Sequence, residues 1–203
     1  MSFNVEYNIK EINLIILENI LKMLQRRKLI NNINTELDKM KDYIDNSKSI
    51  IEILLDNKKY YHVFIVSSKL MSIVQGTSLD EFLSNNIDIH KIVIGKNVAK
   101  KVVKQILNEY KNSEFFFESD MLEDIPSKVF IPQHEIISNE EKEELLSKFS
   151  ESSLSHILVT DMMARYYNAK IGDIIKITRS SITSGKNIFY RKVVNGTIDI
   201  LFI

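Results

Sequence analysis

The first apolar pattern along the chain has a helical period. Asn8 and Glu11 have the spacing of a capping box, which predicts that a helix begins there and runs to about residue 25. One apolar stripe recurs every three or four residues within it, at Ile9, Ile12, Ile16, Ile20 and Met23. A second, shorter helix is predicted from Thr35 to about Ile44.

The pattern then changes to that of β-strands. Residues 49–55 and 60–66 are β-branched and aromatic runs separated by a turn-forming cluster, so they predict a β-hairpin. The elements predicted after it are a helix, a strand, a helix and a strand, at residues 78–84, 90–94, 96–109 and 114–119. A hairpin followed by strand, helix and strand is typical of an α/β domain with at least one parallel crossover.

Beyond residue 120 the segments become shorter. A strand is predicted at 128–132, and Ser138 with Glu141 forms a second capping box that opens a helix over 139–149. Three further strands, joined by turns at Gly185 and Gly196, are predicted at residues 173–179, 187–194 and 197–203. We therefore predict an α+β protein with an N-terminal α/β domain at 1–122 and a small, mixed-sheet α+β domain at 123–203.

Composition and charge add a pattern of their own. The chain has 203 residues, of which 44% are hydrophobic and 27% charged, as in folded globular domains. Its 27 basic and 27 acidic residues cancel unevenly, because residues 118–151 hold 10 acidic and only 3 basic side chains between two mildly basic pieces. The basic run at 26–28 suits the negative end of the first helix, with a nucleic-acid contact as the alternative. No apolar run approaches the roughly 20 residues that cross a bilayer, so no membrane partner is predicted.

The sequence contains no recognisable catalytic or cofactor motif. Its five glycines are spaced too widely for a phosphate-binding loop, and its four histidines lack metal-ligand spacing. The absence of cysteine excludes disulfides, thiolate zinc sites, iron–sulfur clusters and cysteine nucleophiles. The predicted hairpin carries Glu52 and Asp56 without the further acid and lysine of a metal-dependent nuclease. We therefore predict no cofactor, no metal and no catalytic residue.

Three segments of the last third resemble a known family. They are KVFIPQHEIISNEEKEELLSKF (128–149), LSHILVTDMMARYY (154–167) and IGDIIKITRSSITSGKNIFYRKVV (171–194). In order and spacing they resemble the C-terminal domain of the fifth subunit of the nuclear DNA-dependent RNA polymerases, a domain that is equivalent to a small polymerase subunit of archaea. The N-terminal part is similar, more loosely, to the jaw domain of eukaryotic members. Phe115–Phe117 stand at the position of the last strand of that domain. Because the archaeal counterpart lacks the jaw, the length indicates the eukaryotic type.

The chain departs from the family pattern in three places. Met162 and Met163 replace a proline and a valine, Thr183–Gly185 replaces a Thr-Ala-Gly triplet, and residues 195–203 extend beyond the pattern. Asp161 remains as an N-cap, so the helix start is expected to survive. The extension is expected to add an edge strand. Such drift, together with a high content of Ile, Lys and Asn, is expected of a large DNA virus or a fast-evolving eukaryote.

The resemblance implies two functional surfaces. In the family the C-terminal domain docks on the largest subunit, and the residues implied at or near this contact are Pro132, His134, Arg165, Tyr166, Arg179, Tyr190 and Arg191. Internal pairing of the arginines with Asp161 or Asp173 is the alternative. The DNA-facing residues implied are Lys96, Lys100 and Lys101, with a solvated helix face as the alternative. The residues expected to form a cap or turns are Asp161, Gly172 and Gly185.

These expectations combine into a function. The chain is expected to be a non-catalytic subunit of a multisubunit RNA polymerase, whose C-terminal assembly domain anchors on the largest subunit and whose jaw frames the channel for downstream duplex DNA. It would act in the nucleus of a cell, or in the cytoplasmic factory or the virion of a virus. A free-standing DNA-binding transcription module and a degenerate nuclease-like α/β protein are the alternatives.

Overall fold

The computed structural model describes residues 8–45, 50–181 and 185–202, and it confirms the predicted α+β class. The chain divides into two compact units, Met1–Asp124 and Ile125–Ile203. Within the described ranges, no helix has both the length and the apolar character that crossing a membrane requires. Ser184, which stands where the family pattern has alanine, and its neighbour Thr183 lie outside the described residues.

Unit 1 is built on a four-stranded sheet. Its elements are α1 (Ile9–Arg26), α2 (Ile33–Asp45), β1 (Ile50–Leu54), β2 (Tyr60–Val66), α3 (Ser78–Ser84), β3 (His90–Gly95), α4 (Lys100–Glu109), β4 (Ser113–Phe117) and α5 (Glu118–Met121). The strand order is β1-β2-β3-β4. β1 and β2 form the predicted antiparallel hairpin, and β3 lies parallel to both β2 and β4. The predicted parallel crossover is therefore confirmed.

The sequence explains why α1 begins where it does and which face it buries. The Asn8 side chain accepts from the Glu11 amide at 2.9 Å, and the Glu11 carboxylate accepts from the Asn8 amide at 3.0 Å, so both halves of the capping box are present. The stripe is buried at Ile16 and Ile20, whereas Ile9 in the first turn is 69% exposed. The buried face is also wider than predicted, because Leu17 and Leu21 are fully buried beside the stripe.

The centre of unit 1 is β3. Ile92, Val93 and Ile94 are all fully buried, as expected of an inner parallel strand covered on both faces. Lys91, at the start of the strand, is buried too, and its ammonium donates to the carbonyl oxygens of Leu83 (2.7 Å) and Asn85 (2.5 Å). These carbonyls lie at the carboxyl end of α3, where a cation is favourable and the buried charge finds acceptors.

The helix predicted at 96–109 begins four residues later than expected, at Lys100. The residues before it are held in an extended loop, because the Leu70 amide donates to Asn97 and the Ala99 amide donates to Leu70, each at 2.8 Å. Val98 is buried within this loop rather than on the helix. Lys96 is consequently a loop residue.

Unit 2 is built on a second, mixed sheet. Its elements are β5 (Gln133–Ile136), α6 (Asn139–Lys148), β6 (Ser155–Leu158), α7 (Met162–Tyr166), β7 (Ile174–Ser181) and β8 (Gly185–Val194), with 3₁₀ turns at Ile125–Ser127, Glu151–Ser153 and Ile198–Phe202. The strand order is β5-β7-β8-β6. β7 is antiparallel to β5 and β8, and β6 is parallel to β8. The two faces bury separate clusters: Ile174 packs with Ile137 and Leu145 of α6, and Ile175 packs with Ala164 of α7.

Two predicted strands of unit 2 are wrong, and one was missed. Residues 128–132 form turns instead of a strand, because the amides of Lys128 and Ile131 donate to Ile125 and Lys128, and the strand begins only at Gln133. The C-terminal extension folds as the 3₁₀ helix Ile198–Phe202 instead of an edge strand. The edge position next to β8 is already occupied by β6, which the sequence pattern did not predict.

Candidate subunit interface

The β7–β8 hairpin brings several of the predicted interface residues onto the face of the sheet that α7 covers. Directly paired residues share a face, so Ile177 lies in one row with His134 of β5 and Phe189 of β8. In the next row, Ile175 lies beside Arg191. His134 and Arg191 therefore lie on the same face, and Arg179, two residues beyond Ile177 on β7, shares it as well.

His134 is fixed by its own backbone surroundings. It is 8% exposed, and its Nδ1 lies 2.7 Å from the carbonyl oxygen of Pro132. Since a carbonyl only accepts, Nδ1 carries the proton and donates. Burial is the main influence on the His134 pKa and lowers it, the bond to Pro132 and the charge of Asp161 raise it, and the charge of Arg191 lowers it. The electrostatic environment of this ring is thus set jointly by β5, β8 and the start of α7.

Helix α7 carries one half-buried and one fully internal residue of the predicted set. The Asp161 carboxylate accepts from the Met163 amide at 2.8 Å and caps the helix, although Met162 stands where the family has proline. Arg165 is half-buried in the last turn. Tyr166 is only 3% exposed and packs edge-to-face against Tyr167 with ring centroids 5.4 Å apart. Tyr166 therefore supports the surface from within the core.

The remaining predicted residues of β7 and β8 divide between the two faces. Tyr190 is half-buried against the cluster under α6. Arg179 and Arg191 are exposed on the other face, and among the described residues neither forms an ion pair with Asp161 or Asp173. The alternative of internal pairing for these two arginines is therefore not supported within the described part of the chain.

The predicted turn glycines have positive φ angles. Gly185 begins β8 with φ 72°, and Gly172 has φ 94°, a conformation that side chains rarely adopt. Gly172 also connects β8 with α6, because its amide donates to Val193 at 2.9 Å and its carbonyl accepts from the Lys142 ammonium at 2.8 Å. Both positions shape the sheet that carries the exposed arginines.

The sheet of unit 2 exposes two apolar residues that were not among the predicted interface residues. Ile188 is 50% exposed and Phe189 is 53% exposed, although both lie in the strand predicted at 187–194. Adjacent strand residues point to opposite faces, so the sequence pattern alone indicates one large apolar residue on each face. Their exposure depends on α6 and α7, which contain only 10 and 5 residues.

The three predicted DNA-facing lysines lie in unit 1, around the start of α4. Lys96 follows β3, its side chain is 64% exposed, and its ammonium lies 3.3 Å from the Glu118 carboxylate, which follows β4. Lys100 and Lys101 are the first two residues of α4, and both are exposed. The first turn of α4 holds no acidic residue, so the positive end of its dipole adds to these charges.

Two other basic residues that could have faced nucleic acid are engaged internally. Arg26 pairs with Asp124, with nitrogen-to-oxygen distances of 2.5 and 2.8 Å. Arg27 pairs with Glu114 at 2.8 and 2.7 Å. Both arginines therefore serve the fold of unit 1, a role that the sequence pattern did not reveal.

The nuclease alternative gains no support from the hairpin of unit 1. Glu52 lies across the hairpin from His62, at an Oε1 to Nε2 distance of 3.8 Å, and Asp56 lies on the turn. Among the residues that the structure describes, no group of three or more acidic or histidine side chains is placed to hold a metal ion.

Known proteins that this chain resembles are subunits of RNA polymerases. Residues 123–193 match the family described as "RNA polymerase Rpb5, C-terminal domain". The chain is 30% identical over 188 residues to DNA-directed RNA polymerase subunit 5 of Acanthamoeba polyphaga mimivirus, which covers 89% of this chain and 91% of that protein. It is 46% identical over 68 residues to subunit Rpo5 of Archaeoglobus fulgidus, covering 32% of this chain and 90% of that protein. It is 37% identical over 106 residues to the subunit rpabc1 of RNA polymerases I, II and III of Dictyostelium discoideum, covering 49% and 54%.

Proposed function

The chain belongs to the family of DNA-directed RNA polymerase subunit 5, and we propose that it anchors on the largest subunit of its polymerase through unit 2 while unit 1 frames the channel for downstream DNA. It contributes no catalytic residue of its own in this proposal. Its partners are the other subunits of the same enzyme, and the DNA contact arises only inside the assembled complex.

The observation that carries the anchoring role is the surface of unit 2. Arg179 and Arg191 are exposed on one face of the sheet, next to the half-exposed ring of Phe189. Arginine and aromatic side chains are the types most enriched at the energetic centres of protein interfaces. The match of residues 123–193 to the subunit family covers the same sheet, which supports assembly as the role of this unit.

The DNA-facing role rests on the lysines at the start of α4. Phosphates attract lysine side chains whatever the base sequence, and exposed side chains at the amino end of a helix suit such contacts. The formal net charge of the chain is zero, so its field gives little attraction for DNA at a distance. We therefore expect the isolated chain to bind DNA poorly and the lysines to act once the polymerase positions them.

The location follows the polymerase. In a cellular organism this is the nucleus, and for a virus it is the cytoplasmic factory or the virion. The similarity to a mimivirus subunit along most of both chains supports the viral setting.

Affinity purification of the tagged chain from its source tests the proposal. A stoichiometric complex with two very large subunits is expected, whereas a chain recovered alone would favour a free-standing DNA-binding module. The double variant Arg179→Ala with Arg191→Ala is expected to lower the yield of the largest subunit while its circular dichroism stays native. Lys59→Ala with Lys111→Ala removes two exposed charges from unit 1 and serves as the matched control.

A further inference from the structure

We propose that the end of the β7–β8 hairpin inserts into an apolar groove with an acidic rim on another polymerase subunit. This inference rests on the proposed function and specifies how unit 2 binds its partner. The hairpin end is defined as the described residues 179–181 and 185–189.

The first support is the exposure of apolar side chains on both faces of the hairpin. Ile188 is paired with Thr178 on the α6 face, and Phe189 is paired with Ile177 on the α7 face. They are 50% and 53% exposed, respectively. A flat surface would cover one of them and leave the other in water, whereas a groove covers both at once.

The second support is that the hairpin end extends past its neighbours in the sheet. β5 pairs with β7 only as far as Thr178, and β6 pairs with β8 only from Arg191 onward. Beyond those positions the two strands pair with each other and have no further strand beside them among the described residues. The outer backbone edges are thus open, and a partner can approach the two-stranded ribbon from its sides as well as its faces.

The third support is charge. The segment from Ile174 to Ile198 contains five basic residues and no acidic residue. Two of the five are paired within unit 2: the ammonium of Lys176 lies 3.9 Å from Glu141, and that of Lys192 lies 3.0 Å from Glu151. The other three, Arg179, Lys186 and Arg191, are exposed and have no ion pair among the described residues.

These exposed charges accompany the exposed apolar residues on each face. Arg191 lies two residues from Phe189 on the same face, and Lys186 lies two residues from Ile188 on the opposite face. Each face therefore presents an apolar centre with a basic neighbour. The surface complementary to both faces of the hairpin end is an apolar groove whose two walls carry carboxylates at the rim.

A protein fits this surface better than a nucleic acid does. Phosphates would satisfy the basic residues, but they would leave Ile188 exposed, and an isoleucine side chain offers no ring on which a base can stack. Burial of the two apolar side chains supplies favourable free energy only against an apolar partner.

Site-specific photocrosslinking in the assembled polymerase tests the groove. Variants that carry p-benzoylphenylalanine at position 188 or at position 189 are incorporated separately and irradiated. Both are expected to crosslink to the same polymerase subunit, in peptides that contain aspartate or glutamate. Crosslinks to DNA, crosslinks from only one of the two positions, or no crosslink from either would overturn the inference.

Interface variants provide a second measurement. Ile188→Ser with Phe189→Ser is expected to weaken the recovery of the polymerase by about tenfold or more, as loss of a central apolar contact does. Arg179→Glu with Lys186→Glu is expected to weaken it strongly at low salt and less at high salt. The control is Met71→Ser with Val74→Ser, a pair in unit 1 that is 53% and 57% exposed, and it should leave recovery unchanged.

The outcomes separate the two proposals. If the unmodified chain fails to recover polymerase subunits, the proposed function is wrong. If the unmodified chain recovers them, the variants keep the native thermal unfolding midpoint, and recovery is still unaffected by the hairpin substitutions, the proposed function stands and the groove is wrong.

Discussion

Arg27 at the end of α1 donates two parallel hydrogen bonds, of 2.8 and 2.7 Å, to Glu114 of β4. Both side chains are buried, at 4% and 11% exposure. His90 of β3 supplies a further partner, with Nε2 2.5 Å from Glu114 Oε1, and its ring stacks on Tyr61 at a centroid distance of 4.3 Å. One carboxylate thus ties the first helix to two strands of the sheet.

Removing the arginine from this pair is expected to destabilise unit 1 severely. Arg27→Ala leaves the Glu114 carboxylate buried with one partner fewer, a change that typically costs about 3–5 kcal/mol. Arg26→Ala is the matched control, because Arg26 and Asp124 are 29% and 18% exposed and water can replace the lost partner, so a loss of about 1 kcal/mol is expected. Urea unfolding at pH 7 measures both. Equal losses would contradict the buried role of Arg27.

The same pair predicts a pH dependence in the acid range. Burial alone raises the pKa of Glu114, but the charge of Arg27 and the hydrogen bonds from His90 and Arg27 outweigh it and hold the pKa at about 2, against an ordinary 4.5. A carboxyl with a lowered pKa binds fewer protons in the folded state. Its contribution, on the order of 3 kcal/mol, is therefore complete above pH 4.5 and is lost as the pH falls toward 2.

Glu114→Gln isolates that contribution. Urea unfolding of the native chain and of the variant should show a stability difference that is largest near neutral pH and shrinks between pH 4.5 and 2. A difference that stays constant across this window would show that the carboxylate is not the group responsible.

Much of the fold follows from local sequence signals. The capping boxes at Asn8 and Ser138 marked the starts of α1 and α6, since each side chain satisfies an amide of its own helix. The hairpin of β1 and β2 followed from two strand-like runs with a turn cluster between them. In each case the residues that determine the structure are neighbours in sequence.

What the sequence did not reveal depends on residues far apart in the chain. The pairing of Arg27 with Glu114 joins positions 87 residues apart. From the sequence alone, the charge of Arg27 is therefore attributed to a favourable interaction with the negative end of the first helix. The strand predicted at 128–132 has suitable residues, but its backbone bonds in turns, and Phe130 is 76% exposed. The exposure of Ile188 and Phe189 depends on how far α6 and α7 reach across the sheet, which no local pattern encodes.

Gly95 is expected to resist substitution because of a single contact. A Cβ at this position would lie 2.4 Å from Cγ2 of Val98, in the loop that carries Lys96. Gly95→Ala should therefore destabilise the chain by about 1–3 kcal/mol, the usual cost of overpacking. Val98→Ala removes the obstructing methyl group, so the double variant should lose less than the sum of the two single losses. Additive losses in urea unfolding would contradict this contact.

His134 is expected to titrate at a lower pH than an exposed histidine. Burial lowers its pKa below the ordinary 6.5, so the folded state binds fewer protons there, and the associated stability is lost as the pH falls below 6.5. The NMR titration of its ring protons should have a midpoint below 6.5. Arg191→Ala should raise that midpoint, and Asp161→Asn, which keeps an N-cap side chain, should lower it. Midpoints that do not move would show that Arg191 and Asp161 are not neighbours of this ring.

The lysines around the start of α4 are expected to set part of the salt dependence of DNA binding by the assembled polymerase. Each lysine that contacts a phosphate should lower the slope of log affinity against log salt by about 1 when it is replaced. Lys96→Gln, Lys100→Gln and Lys101→Gln are measured one at a time, by dissociation of downstream DNA over a range of salt concentrations. Lys111→Gln is the matched control, because Lys111 is also exposed but lies before β4, at the opposite end of the parallel strands. Equal slopes for all four variants would show that these three lysines do not contact DNA. A lower slope for the first three variants alone would indicate that the carboxyl end of the parallel strands faces the duplex.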